Sequence, residues 1–243
     1  MIGLEMGADA ARRSEVERWL ARSGSPLAAR VRTVRELQAA AAPAEPAAWS
    51  AALPGLAALY PAGLPRGELV ELSGRASAGR FGFLVGLLAA ATAAGENAAL
   101  VDLGDGLDPG GAQATGVDLA RLLWVRPRDL RQSLVAAESL LAGGFPLVAV
   151  DLGLPPVPGG RGGEAHWLRL GRAAREARAL LVVSTPYRAC GVATGVALAL
   201  ARGRGLWQGT GQEPRLLGGL ESRVEPARAR PEAVPGRWRL AAS

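Results

Sequence analysis

The stretch Glu68-Leu-Val-Glu-Leu-Ser73-Gly74-Arg-Ala-Ser-Ala-Gly79-Arg80-Phe81 decides the fold. Its first six residues read as a short alternating strand, Gly74 to Gly79 as a glycine-rich turn, and the apolar residues from about 80 to 94 as a helix. Working outward, the alternation continues. Ala98–Leu103 reads as a second buried strand carrying Asp102, and Leu122–Val125 as a third. A helix over about 129–143 leads to a fourth strand, Leu147–Asp151, again ending in aspartate. Glu164–Arg178 is helical and Leu180–Ser184 is a fifth strand. Short apolar strands alternating with helices predict an α/β fold with a mostly parallel sheet flanked by helices. Beyond residue 193 the pattern predicts a short helix, Thr194–Arg202, then antiparallel strands near 205–208, 215–225 and 236–240.

Upstream, Ser14 and Glu17 have capping-box spacing, and Ser25-Pro26 places an N-cap before a proline at the first helical position. Leu27, Val31 and Val34 form an i, i+4, i+7 stripe. The expected organisation is an N-terminal helical segment over 1–42, an Ala/Pro-rich linker over 43–54, and a core domain over 55–243.

Composition narrows the function classes. The chain has 243 residues, 49% of them hydrophobic, enough for a sizeable core. Its net charge is +6, with 28 basic residues, every one an arginine. A basic balance permits nucleic acid without demonstrating it. One cysteine excludes an internal disulfide, and one histidine with one cysteine excludes a Cys/His zinc site. The longest apolar run, Phe81 to Gly95, is shorter than the roughly 20 residues of a spanning helix. With no basic start followed by an apolar run at the N-terminus, a cytoplasmic protein without membrane attachment is expected.

The loop between Gly74 and Arg80 has the spacing G-x4-G-K-[ST] of phosphate-binding loops. There, glycines let backbone N–H groups wrap the phosphates, a lysine reaches the outer ones and a hydroxyl binds Mg²⁺. Here both glycines stand in place, Arg80 replaces the lysine and Phe81 the hydroxyl. Arginine keeps the charge with a different geometry, and phenylalanine ligates no metal.

These residues and their surroundings resemble the RecA recombinase family. Gly63-Leu-Pro-Arg-Gly-Glu-Leu-Val-Glu-Leu-Ser-Gly74 is similar to the approach to the RecA phosphate loop. Val101-Asp-Leu-Gly-Asp-Gly-Leu-Asp-Pro109 is similar to the segment that carries the catalytic glutamate, and Gly116-Val-Asp-Leu-Ala-Arg-Leu-Leu123 to the passage after it. Val148-Ala-Val-Asp151 stands where RecA has its Walker B strand. The resemblance runs from about residue 55 to the C-terminus and implies a RecA-like fold. Gly74, Gly79, Arg80 and Asp151 then occupy the cofactor-binding positions, Gly104 that of the catalytic glutamate, and Thr185 falls near that of the phosphate-sensing glutamine. With lysine, hydroxyl, base and sensor all changed, no ATPase activity, cofactor or metal is expected. The alternative is a RecA-type ATP-binding or ATPase protein using the variant loop, with Asp105 standing in for the base.

Within that superfamily the pattern resembles the ImuA family, degenerate RecA homologues of the SOS mutagenesis cassette. This implies a non-catalytic accessory role in translesion synthesis, RecA and an ImuB-like polymerase-related protein as partners, and inhibition of RecA-mediated recombination. Partner-binding candidates are Trp19, Leu20, Leu27, Val31, Val34 and Trp49. The first RecA DNA loop corresponds to the proline-rich 153–163, and the second is largely deleted after Ser184. Weak DNA contact would fall to Arg161, Arg188, Arg202 and Arg204. Trp124 and Trp207 are expected in the core.

Overall fold

The computed structural model describes residues 46–75, 77–153, 163–209, 215–227 and 236–241. The N-terminal segment with Trp19, Leu20, Leu27, Val31 and Val34 lies outside them, as does Arg161. The described elements, in chain order, are β1 (Pro46–Ala47), α1 (Pro54–Ala57), β2 (Leu64–Pro65), β3 (Leu69–Ser73) and α2 (Arg80–Ala93). There follow β4 (Ala98–Asp102), α3 (Pro109–Ala114), β5 (Leu122–Val125), α4 (Leu130–Ala142), β6 (Leu147–Asp151) and α5 (Gly163–Ala177). The last are β7 (Leu180–Thr185), β8 (Val196–Gln208), β9 (Leu216–Pro226) and β10 (Gly236–Ala241).

Among the described residues one eight-stranded sheet has the order β10-β9-β8-β3-β7-β6-β4-β5. It is parallel from β8 to β5, and β9 and β10 add antiparallel at the other edge. The expected α/β architecture is therefore present. β3, β4, β6 and β7 are buried along their whole length. Side-chain alternation splits them between two cores. Val70, Leu72, Leu100, Ala149 and Val182 pack with Phe83, Leu84, Leu87 and Leu88 of α2. Leu69, Val101, Val148, Val150 and Val183 pack with Leu134 and Leu141 of α4 and Trp167 and Leu170 of α5. Each fully buried leucine contributes roughly 2 kcal/mol. Asp129 caps α4, accepting from the Gln132 N–H at 2.7 Å, and Asp108 caps α3, accepting from the Gly111 N–H at 2.9 Å with Pro109 at the first helical position. Among the described residues no helix is long and apolar enough to cross a membrane.

Several expectations need correction. The stretch expected as a linker over 43–54 belongs to the core from residue 46 onward, and the compact unit begins at Ala44. Ala47, Ser50, Leu53 and Leu56 are buried. The Ser50 hydroxyl donates to the Ala47 carbonyl at 2.7 Å and accepts from the Leu64 N–H at 2.7 Å. A side chain at Gly63, where φ is +98°, would stand 2.2 Å from the Ala47 carbonyl oxygen. Small residues let two backbones meet, a contact without hydrophobic period. Trp49, a partner-binding candidate, packs half-buried on the core with its indole N–H enclosed.

The expected helix Thr194–Arg202 is instead the first half of β8. Leu and Ala favour helix locally, yet Val196, Leu198 and Leu200 alternate into the α2 core beside β3. Tertiary packing overrides propensity here. Trp207 is not in the core but 59% exposed. Trp124 is half-buried because β5 is the sheet edge; its indole N–H donates to Asp102 Oδ2 at 3.2 Å and Arg126 stacks 5.0 Å from its ring centre.

Candidate functional site

Parallel α/β sheets present ligand sites at the carboxyl ends of their strands. Here β3 ends in Ser73, with Gly74 next in the chain, β6 in Asp151, and β7 in Ser184 and Thr185. The Gly74 N–H donates to the Thr185 carbonyl at 3.2 Å. A Cβ at Gly74 would lie 2.8 Å from the Leu200 carbonyl oxygen, and one at Gly79 2.7 Å from Ser222 Oγ. Gly79 also has φ +81° where it opens α2, a conformation glycine adopts freely. Both loop glycines are thus required by packing against β8 and β9 alone.

Arg80 opens α2 and is 6% exposed. Its Nη1 donates to Asp151 Oδ1 at 3.0 Å and to Ser184 Oγ at 2.5 Å, and its Nη2 to the Gly153 carbonyl at 2.9 Å. Asp151 also accepts from Ser184 Oγ at 2.7 Å and from the Gly153 N–H at 3.0 Å. Its neighbours on β6 and β7 place it opposite Ser184. Burial pulls the Arg80 guanidinium below its ordinary pKa against the opposing pull of Asp151, and raises Asp151 from its ordinary value despite Ser184, Arg80 and Gly153. The charge that would meet a phosphate and the carboxylate that would face a metal neutralise one another inside the protein.

The neighbouring positions close the site further. The Phe81 ring lies against Gly106, whose Cβ would be 3.5 Å from it. At Gly104, the position of the implied base, a Cβ would stand 2.8 Å from Gly153 Cα and 2.9 Å from Asp151 Oδ2. Asp105 turns to the surface, where both its oxygens accept from Arg126 at 2.6 Å, a pairing that lowers its pKa. The Thr185 hydroxyl donates to the Tyr187 carbonyl at 2.6 Å. These residues do not fit a magnesium–nucleotide: no hydroxyl stands at 81, no carboxylate at 104, and the cation is already bonded. Gly104→Glu is expected to lower stability by about 1–3 kcal/mol through overpacking. Phosphate release from ATP should stay at the level of the unaltered chain, as a urea titration and a phosphate assay would read.

The structure thus brings Gly74, Gly79, Arg80 and Asp151 into one cradle. Ser184 and Gly153, which complete it, escaped sequence reasoning because nothing local marks them. Glu71 escaped it too, although a carboxylate inside the apolar strand Leu-Val-Glu-Leu is a visible signal of a buried charge. Its Oε1 accepts from the N–H groups of Ala189 (2.5 Å) and Cys190 (2.9 Å), and its Oε2 from Thr194 Oγ1 at 3.3 Å. The short passage after β7 is therefore pinned to β3. Arg188 stands 3.7 Å from Glu71 Oε2, and Arg204, 69% exposed, 3.6 Å from Glu221. Arg188 lies on that passage, while Arg202 and Arg204 lie on β8; they do not share an element. Cys190 is buried, and desolvation followed by the Glu71 carboxylate raises its thiol far above the ordinary range. It is expected to resist a thiol reagent at about pH 8 until the chain is denatured, since the thiolate is the reactive form.

Strand order and a glycine-rich loop between a central strand and its helix define a nucleotide-binding-type α/β core, here with its cradle filled from within. Residues 47–161 match the RecA N-terminal domain. The chain is 36% identical over 114 residues to the protein RecA of Rubrobacter xylanophilus, which covers 45% of this chain and 33% of that protein. It is 37% identical over 109 residues to the protein RecA of Leifsonia xyli subsp. xyli (43% and 30% covered). With the protein RecA of Symbiobacterium thermophilum identity is 40% over 95 residues (39% and 27% covered). The matched stretch spans about a third of the length of these curated relatives. The fold is RecA-like, and the sequence likeness to the RecA N-terminal domain covers residues 47–161.

Proposed function

We propose that this chain is a RecA-like accessory protein of the ImuA type that serves SOS-induced translesion synthesis in the cytoplasm without turning over ATP. It acts through contacts with RecA and with an ImuB-like polymerase-related protein. Joined to a RecA filament as a subunit with no competent nucleotide site, it stops further growth and restrains recombination. The observation that carries this reading is the bonding of Arg80 to Asp151, Ser184 and Gly153 inside the cradle. Phosphoryl transfer is mostly positioning and charge stabilisation, so groups turned upon one another contribute little to it.

The test adds the full chain to a RecA strand-exchange reaction and titrates it with ATP and Mg²⁺ in a calorimeter. Slowed exchange and no heat of binding are expected. ATP turnover abolished by Arg80→Ala, or unchanged strand exchange together with no capture of RecA or the ImuB-like protein, overturns the proposal. The second reading, a RecA-type ATP-binding protein with a variant loop, has one observation in its favour. Gly79 keeps positive φ, and no side chain caps the N-terminus of α2. A saturable heat with ATP would select it.

A further inference from the structure

Where β8 ends and β9 begins, the described residues carry apolar side chains turned to solvent. Trp207 is 59% exposed, Leu216 71% and Leu217 50%. Trp207 and Leu217 are cross-strand partners, and the register shifts twice along β8 ahead of the tryptophan, the second time between Leu206 and Trp207. Bulges of this kind re-aim a side chain. The ring lies back over Gly205, where a Cβ would stand 2.8 Å from the indole Nε1 and 3.3 Å from Leu217 Cδ1. Trp207 is therefore seated, with its position set by the missing side chain of Gly205. Tryptophan and arginine are the residue types enriched in interface hot spots.

Charge along the described parts of the two strands says what this patch fits. Arg202, Arg204, Arg215 and Arg223 are exposed, whereas Glu221 is buried and Glu225 half-buried. Every exposed charge on the described part of the hairpin is thus positive. Arg202, Arg215 and Arg223 form no ion pair among the described residues. Two exposed leucines favour an apolar side chain over a nucleobase as the neighbour of Trp207.

We infer that this patch on β8 and β9 is a docking surface for an acidic protein segment carrying an apolar anchor, which seats on Trp207 and Leu217 while its carboxylates meet the arginines of the two strands. The inference belongs to the hairpin and does not depend on RecA being the partner. Lost inhibition of RecA with peptide binding intact sinks the proposed function and leaves this surface standing.

Fluorescence anisotropy of the full chain tests it, using a labelled peptide in which leucine and phenylalanine are flanked on both sides by aspartates. Binding should weaken with salt and fall about tenfold or more for Trp207→Ala. A comparable loss is expected for Arg215→Glu, and the same peptide with serines in place of leucine and phenylalanine should not bind. Leu217→Ser provides a second reading should Trp207→Ala lose its native circular dichroism. The inference is overturned if the folded variants bind as the native chain does, or if the serine peptide binds equally. It also falls if an oligothymidine strand displaces the peptide in a Trp207-dependent way, or if sedimentation shows this patch pairing two copies of this chain.

Discussion

Arg80→Met is expected to lower the free energy of unfolding by about 3 kcal/mol, and Asp151→Leu by about 3–5 kcal/mol, because each leaves the other's charge buried without its partner. Asp151→Leu should be the worse of the two. A stranded carboxylate can take up a proton, but a guanidinium cannot shed one at any accessible pH. The double variant should recover most of the loss, since an apolar pair of similar size carries no desolvation cost. Urea denaturation of the four proteins reads this directly, and strictly additive losses would show that Arg80 and Asp151 do not act as a unit. The pH dependence follows from burial. Asp151 has its pKa raised in the folded protein, so its contribution to stability is full below the ordinary carboxylate range and diminishes as pH rises through the raised value. Acid should therefore not unfold the chain through this group.

Glu71→Ala is expected to cost about 3–5 kcal/mol. The substitution leaves the N–H groups of Ala189 and Cys190 and the Thr194 hydroxyl without the charged acceptor they now share, at about 1.5–3 kcal/mol for each good bond to a charged group. Glu71→Gln keeps one acceptor oxygen and should lose roughly half as much. Cys190 supplies a second readout of the same event. Releasing the passage after β7 opens it locally, so the thiol should react in Glu71→Ala under conditions where the native chain is silent. A destabilised variant with Cys190 still fully protected would mean that other contacts hold the passage.

Both effects concern residues whose type was readable in the chain but whose partners were not. Arg80 stands out in the loop spacing, and Asp151 at the end of an apolar strand. That the one closes upon the other depends on β6 and β7 lying side by side next to β3, with Ser184 across from Asp151. No spacing reports that pairing. Gly104 reads as the mere loss of a glutamate, yet only the approach of Gly153 shows that there is no longer room for one. The Ala/Pro stretch before residue 55 misled because small residues pack by backbone proximity, which leaves no apolar period. β8 misled because its leucines and alanines suit a helix locally, and only the neighbouring β3 makes the strand pay.

By itself the sequence determined the alternation of strands and helices between β3 and β7, the mostly parallel sheet and the glycine-rich turn ahead of α2. Apolar periodicity and turn chemistry are local properties, and they are written in adjacent residues. Tertiary structure alone decided that the cradle is filled by its own arginine, that Glu71 ties down the passage after β7, and that Trp207 faces solvent. Each of these depends on which buried polar groups meet across strands distant in the chain, and on the need of a buried charge for a partner wherever the fold supplies one.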